Sequence, residues 1–310
     1  MQEFVDGLNG IIWSNALIFL CLATGLFFSI LTRFVQVRLF KEMVRLLFAS
    51  KESDRGISSF QALSVSLSGR VGTGNIAGVA AAIGFGGPGA VFWMWVVAFL
   101  GASTAYVESA LGQIYKEEDE GQYRGGPAYY IEKAMGQKWY AWIFAVTTII
   151  ATGLLLPGVQ SNSIGNAAEL AFGGETVISF FGDSISATKM ATAVIVVTVL
   201  GFIIFGGVKR IAHFTQIVVP FMALGYIVMA LGVIAFHIGD LPKIIALIVT
   251  DAFTPMAGVG AAIGWGVKRG VYSNEAGQGT GPHAAAASEV EHPAQQGLVQ
   301  AFSVYVDTLF

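Results

Sequence analysis

Charge is scarce in this sequence, and cysteine is nearly absent. Charged residues make up 12% of the 310 residues, against 55% hydrophobic ones. A soluble domain carries roughly 25% charged residues. Half that share leaves too little polar surface to coat a water-soluble globule of this size. The mean hydropathy of +0.67 points to a lipid bilayer as the solvent. The single cysteine, Cys21, excludes an intrachain disulfide and a cysteine-built metal site. It falls inside an apolar run, where a small packing residue is the ordinary reading. The net charge of −3 gives no sign of a nucleic-acid partner. Before the first apolar run there is no Lys or Arg, only Glu3 and Asp6. A secretory signal needs a positive leading region and a short apolar core. The run from residue 11 to 33 therefore reads as a retained helix, long enough to span a bilayer.

Apolar segments of spanning length recur at residues 11–33, 59–83, 88–114, 139–160, 190–207, 214–237 and 244–267. An eighth begins near Ala294 and is still apolar at Phe310. The pattern reads as a bundle truncated on its C-terminal side. Lys and Arg favour the cytoplasmic side of a membrane. The segment after the first span holds Arg33, Arg38, Lys41, Arg45, Lys51 and Arg55. With alternating sides, every other basic residue joins them except Lys189, Lys243 and the intramembrane Arg70. This predicts a multi-pass protein of the cell membrane (plasma or inner) with an extracytoplasmic N-terminus. Residues 116–136 read as a cytoplasmic loop with a short amphipathic piece. Residues 172–183 read as a glycine-rich outer loop. Residues 270–293 read as a polar cytoplasmic segment that needs partners for its backbone if it enters the membrane.

The sequence holds 39 glycines, and several interrupt the second span. Ser68, Gly69, Gly72, Thr73, Gly74 and Asn75 cluster near its middle. Each Gly costs up to about 1 kcal/mol against Ala in a helix. If the helix opens here, one half offers free N–H groups to a carboxylate and the other free carbonyls to a small cation. The same spacing also fits close helix packing, because Gly74 and Gly78 form a GxxxG pair and Ser68 and Gly72 a small-xxx-small pair. Spacing alone leaves the two readings even. A nucleotide loop is excluded, since no strand and no soluble α/β setting surround Gly69, Gly72 and Gly74. A second weak point lies at 251–266, where Pro255 breaks the ladder and Gly258, Gly260, Gly264 and Gly266 follow. Two interrupted spans are the pointer to an inverted-repeat transporter with its site between them.

Several stretches together carry a family likeness. They are the runs from Ser68 to Ala80, from Gly86 to Trp95, from Gly125 to Tyr130, from Pro157 to Asn162 and from Arg269 to Gly277. In them the chain resembles the alanine/glycine:cation symporter family (sodium:alanine symporters) over nearly its whole length. The resemblance implies an all-α integral membrane protein: a leucine-transporter-type inverted-repeat helical bundle. The whole chain would be a single transporter domain. A leading helix at 11–33 precedes a first five-helix repeat at 59–237, and an incomplete second repeat starts at 244. The family imports alanine or glycine with sodium, sometimes with protons. No cofactor is implied beyond the coupling sodium ion.

Carried over by position, the backbone amides near Thr73 and Gly74 hold the substrate carboxylate, and Gln160 reaches the substrate. Phe253, Thr254 and Gly258 form the facing wall. Carbonyls of Ser68, Arg70 and Val71, with the Asn75 side-chain oxygen, contribute to cation sites, where oxygen ligands suit a hard ion.

Arg70 and Glu108 fall within spans, and an intramembrane charge is a functional candidate. Glu108 is one candidate partner for Arg70; a position near an interface is the other reading for each. Asp307 and Thr308, in the eighth span, are cation-facing candidates beside a plain packing role. The four histidines, His213, His237, His283 and His292, sit at span ends or in loops, so no metal centre is expected. Trp93, Trp95, Trp139 and Trp142 sit near span ends as interfacial anchors. An intramembrane enzyme needs paired catalytic groups. The spans hold no His and no paired acids, so no catalytic residue is expected. A channel would be built round a pore-lining ring. No ATPase motif is present, which leaves a gradient-driven carrier as the reading.

Overall fold

The computed structural model describes residues 2–49, 56–180, 183–254 and 259–309. The chain is helical almost throughout. Helix α2 (Asn15–Leu31) forms the expected leading span, and a separate helix, α1 (Gln2–Ile12), precedes it. They part at Ser14, whose extended backbone starts α2. Two short helices, α3 (Val35–Arg38) and α4 (Phe40–Phe48), follow. The second span is broken. Helix α5 (Ser59–Arg70) starts with a reciprocal capping box between Ser58 and Gln61. It ends where Val71 turns extended, and the chain resumes as a π-helical turn, Gly74–Gly78, that runs into α6 (Val79–Gly86).

Helix α7 (Gly89–Ile114) is the hub and packs most closely against α2 and three helices later in the chain. Its contact face repeats small residues: Ala98, Ala102, Ala105 and Ser109 are all fully buried. Small residues let backbones approach, which is how membrane helices gain packing without a hydrophobic driving force. Ser103 of α7 meets Ser29 of α2 at 3.0 Å, and Gln36 donates to Ser29 at 2.8 Å. These bonds tie the leading span to the hub.

The expected cytoplasmic loop is ordered as a hairpin and a helix. Strands β1 (Glu117–Asp119) and β2 (Gln122–Arg124) pair antiparallel, with Glu117 opposite Arg124. Their turn, Glu120-Gly121, is left-handed at both residues, the geometry that matches strand twist. The amphipathic piece is α8 (Pro127–Met135). The next span is longer than its hydropathy suggests. It runs as α9 (Lys138–Ile150), a π turn at Ala151–Leu155 and α10 (Leu156–Phe172). The wide turn lies just before Pro157, whose missing N–H removes one rung of the ladder. A second strand pair, β3 (Val177–Phe180) with β4 (Asp183–Ser186), lies in the loop expected on the outer side. Helices α11 (Ala187–Ile204) and α12 (Gly207–Phe236) follow.

The seventh span is also interrupted. Helix α13 (Leu241–Asp251) stops, and α14 (Val259–Asn274) begins after a gap. Pro255 and Gly258, placed at this break by the sequence, lie outside the described residues. The segment expected as a polar cytoplasmic loop is instead, as far as Ser288, packed inside the bundle. Helix α14 extends to Asn274, and α15 (Gly281–Ala287) is buried against α5 and α7. Helix α16 (Pro293–Leu309) closes the core against α7, with Gln296, Gln300 and Ser303 fully buried. Among the described residues, five helical stretches are long and apolar enough to cross a membrane: Glu3–Leu31, Gly89–Ile114, Lys138–Phe172, Ala187–Ile204 and Gly207–Phe236. Apart from the hub, their faces are widely exposed, as Phe202, Phe221 and Phe236 illustrate. Lipid suits such faces.

Candidate functional site

The break in the second span opens onto a cavity of about 890 Å³. Its walls come from α5, the π turn, α10, α12, α14 and α16. Val71, at φ −81° and ψ 105°, ends the α5 ladder after donating to the Leu67 carbonyl at 2.8 Å. Asn75 then caps the gap from below: its Oδ1 accepts from the Gly72 amide at 2.8 Å.

The glycines here serve close approach as well as the break. A Cβ on Gly72 would sit 3.3 Å from Gln160 Nε2, and one on Gly69 would sit 3.1 Å from Glu275 Oε1. Gly74 and Gly78 face α14 through the Tyr272 ring and the Arg269 side chain, at ordinary contact distances. The segment therefore both interrupts its helix and packs closely against its neighbours.

Two hydrogen bonds fix the break to its surroundings. Thr73 Oγ1 donates to Gln160 Oε1 at 2.9 Å, joining the break to α10. Asn75 Nδ2 donates to Asp307 Oδ1 at 2.8 Å, joining it to α16. Ser273 Oγ also donates to Asp307 Oδ1, at 3.0 Å, and Thr308 Oγ1 donates to Oδ2 at 2.8 Å. Asp307 is thus a carboxylate held by three side chains from three elements, at the edge of the cavity.

Ser68, Arg70, Val71, Thr73, Gly74, Asn75 and Gln160 all line this one cavity. Phe253 and Thr254 are not brought to it. The Phe253 ring packs 5.0 Å from that of Phe92 and 6.0 Å from that of Trp93, and Thr254 Oγ1 donates to the Thr250 carbonyl. Gly258 lies outside the described residues. The wall that faces the break is instead Tyr272 and Ser273 of α14. Trp93 donates Nε1 to the Ala252 carbonyl at 3.2 Å, so it braces the second interruption rather than standing free.

Arg70 is 2% exposed, and its Nη1 donates to the Gln300 carbonyl at 3.3 Å and to Ser303 Oγ. Among the described residues no ion pair joins it to Glu108. Glu108 Oε1 accepts from the Gly277 amide at 3.1 Å. Arg70 nonetheless lies within electrostatic range of Glu108, Glu275 and Asp307. One guanidinium thus stands among three buried carboxyl groups.

Glu275, Gln278 and Thr280 also line the cavity, and sequence reasoning missed them by leaving residues 270–293 in water. The segment satisfies its own backbone. Asn274 Oδ1 accepts from the Ala276 amide, Gln278 donates to the Val271 carbonyl and Thr280 donates to Glu275. Gly277 and Gly279 hold φ of +83° and +84°, which L side chains avoid. A Cβ on Gly279 would also strike the Phe144 ring and Pro127. The closely spaced glycines were the available signal: they mark a tightly folded, buried segment.

Comparison with known proteins gives the family. The model of the sodium:alanine symporter family matches residues 1–310. A protein of Bacillus subtilis (strain 168) is 58% identical over 314 residues, covering 100% of this chain and 62% of its own length. The sodium/proton-dependent alanine carrier protein of Bacillus sp. (strain PS3) is 48% identical over 269 residues, 86% of this chain and 57% of that one. The sodium/alanine symporter of Methanococcus maripaludis is 38% identical over 319 residues, 99% of this chain and 68% of that one. The chain spans about three fifths of the length of the first curated relatives it matches. With a broken, glycine-rich span facing a cavity, and a family match from end to end, the chain belongs to the sodium:alanine symporter family.

Proposed function

We propose that the protein is part of a secondary active symporter that imports a small neutral amino acid, alanine or glycine, together with sodium. The observation that carries this reading is the break at residues 71–73, open to a cavity of about 890 Å³ and bonded to α10 and α16. The N–H groups of Thr73 and Gly74 begin the resumed helix, where a carboxylate is stabilised by free donors and the helix dipole. Thr73 and Gln160 flank that position from two elements. Carbonyls at Ser68, Arg70 and Val71, the Asn75 amide oxygen and the Asp307 carboxylate supply hard oxygen ligands to a sodium ion. A cation beside the substrate carboxylate couples the two by attraction in a low-dielectric site.

The architecture is read as leucine-transporter type: a leading helix, a first repeat over 59–237 and a second beginning at 244. Interruptions in the first span of each repeat support it. Rocking of one repeat against the other would expose the site alternately. The basic residues after the leading span support an extracytoplasmic N-terminus.

The test is uptake of labelled alanine by the full-length protein in proteoliposomes. A sodium gradient should drive saturable uptake, with glycine competing and glutamine competing poorly. Uptake that neither saturates nor responds to sodium removes the symport reading.

A further inference from the structure

The apolar span Glu3–Leu31 ends in a turn that no role in the cavity explains. Thr32 Oγ1 donates back to the Phe28 carbonyl at 2.7 Å. Arg33 and Phe34 then take left-handed backbone, with φ of 55° and 52°. Consecutive non-glycine residues there are costly and persist only where the surroundings impose them. The turn reverses the chain into α3 and α4. Their inner face is anchored by Val35, Gln36, Met43 and Leu46, all buried.

A second cavity, of about 290 Å³, lies at this turn. Thr32, Arg33, Arg38, Leu39 and Tyr106 line it. Arg38 Nη2 donates to the Thr32 carbonyl at 3.2 Å, which holds the guanidinium at the cavity edge. Among the described residues, Arg33, Arg38 and Lys41 have no carboxylate partner. Arg45, one turn on, is bridged to Glu42 at 2.5 Å. Beside the unpaired charges, Leu31, Phe34, Val37 and Phe40 expose between 42% and 63% of their surface. Unpaired guanidinium groups in a pocket at the end of a span, bordered by bare apolar side chains, match a molecule with an anionic head and hydrocarbon tails. Arg suits phosphate because its planar fork offers two parallel donors.

We propose that this cavity binds the phosphate headgroup of an anionic glycerophospholipid, with its acyl chains lying along Leu31, Phe34, Val37 and Phe40. The lipid would pin the reversal at residues 33–34 and so fix α4 against α16. Each basic residue near an anionic surface contributes about 1 kcal/mol, so removing two should weaken retention roughly thirtyfold.

The experiment uses purified, delipidated full-length protein. Native mass spectrometry counts retained lipid, and thermal unfolding is followed with added phosphatidylglycerol, phosphatidylcholine or inorganic phosphate. Wild type should retain phosphatidylglycerol in preference to phosphatidylcholine and be stabilised by it. The Arg33→Ala/Arg38→Ala variant should lose that preference, and the double Lys variant should keep part of it. Arg45→Ala, which removes an already paired charge, should behave as wild type. Equal retention of the two lipids overturns the proposal, as does a wild-type preference in the double Ala variant. Stabilisation by inorganic phosphate equal to that by the lipid assigns the pocket to a free anion instead. An equal loss in Arg45→Ala reduces the effect to general membrane electrostatics and rejects a built site.

Discussion

Asn75 Nδ2 stands 2.8 Å from Asp307 Oδ1, although 232 residues separate the two in the chain. The contact joins the resumed half of the broken span to α16. Ser273 brings α14 to the same oxygen. An amide donor to a buried carboxylate contributes about 1.5–3 kcal/mol when the acceptor is charged.

The first prediction follows from that contact. Asn75→Ala and Asp307→Asn should each raise the sodium concentration for half-maximal alanine uptake by roughly tenfold to a hundredfold. Maximal uptake at saturating sodium should change less. Uptake is measured against sodium in the full-length protein. An unchanged sodium dependence in both variants would remove this pair from the cation site.

A second prediction concerns Gly72. Its Cβ position lies 3.3 Å from Gln160 Nε2, so Gly72→Val must displace the Gln160 side chain. The Thr73–Gln160 bond should break and alanine binding weaken at least as much as in Gln160→Ala. Equilibrium binding of labelled alanine to both variants tests this. Tighter binding in Gly72→Val than in Gln160→Ala would show that Gln160 does not act through Thr73.

Packing against the hub gives a third prediction. A Cβ on Gly266 would meet the Ala90 carbonyl at 2.5 Å and Trp93 Cβ at 2.6 Å. Gly266→Leu should cost about 1–3 kcal/mol through overpacking, seen as a lower unfolding temperature in detergent. Gly225, in α12, has open space around its Cβ position. Gly225→Ala should be neutral or stabilise by up to about 1 kcal/mol. If both variants unfold like wild type, α14 does not pack on α7 at this point.

The fourth prediction is a pH dependence at Lys116, which follows α7 outside the span. Its Nζ donates to the Ser288 carbonyl at 2.7 Å and lies 3.9 Å from the centre of the Tyr123 ring. Burial pushes its pKa down from 10.5 to about 8, with the Glu289 charge opposing. The unfolded chain therefore binds more protons between those values, and stability from this group rises with pH across the window. The contribution is complete above 10.5 and is lost as pH falls through about 8. Lys116→Met should flatten that part of the stability profile, as read by thermal unfolding across the window. A profile identical to wild type would mean that Lys116 is not buried at this junction.

Gly69, Gly72 and Gly74 show how far sequence reading reaches. Their cluster marked the right segment, because glycine at membrane depth needs a structural reason. It did not say which reason, since a helix break and a close contact call for the same residue type. The contact partners, Gln160 and Glu275, lie 88 and more residues away, and only the packed bundle brings them to 3.3 Å and 3.1 Å. Phe253 and Thr254 were placed on the facing wall by family position. The observed wall is Tyr272 and Ser273, one element later, because α14 and not the end of α13 lies against the π turn.

Composition and periodicity alone determined that this is a helical membrane protein with two interrupted spans. Both follow from local physics: scarce charge cannot coat a soluble globule, and Gly or Pro weakens a helix wherever it stands. Only the tertiary structure decided that most of the polar stretch, residues 270–288, lies inside the bundle. Its hydropathy reads as water-exposed, but Glu108 accepts the Gly277 amide and the segment's own side chains bond much of the rest. A polar segment can be buried once its partners are supplied, and those partners come from distant parts of the chain that local sequence cannot bring together.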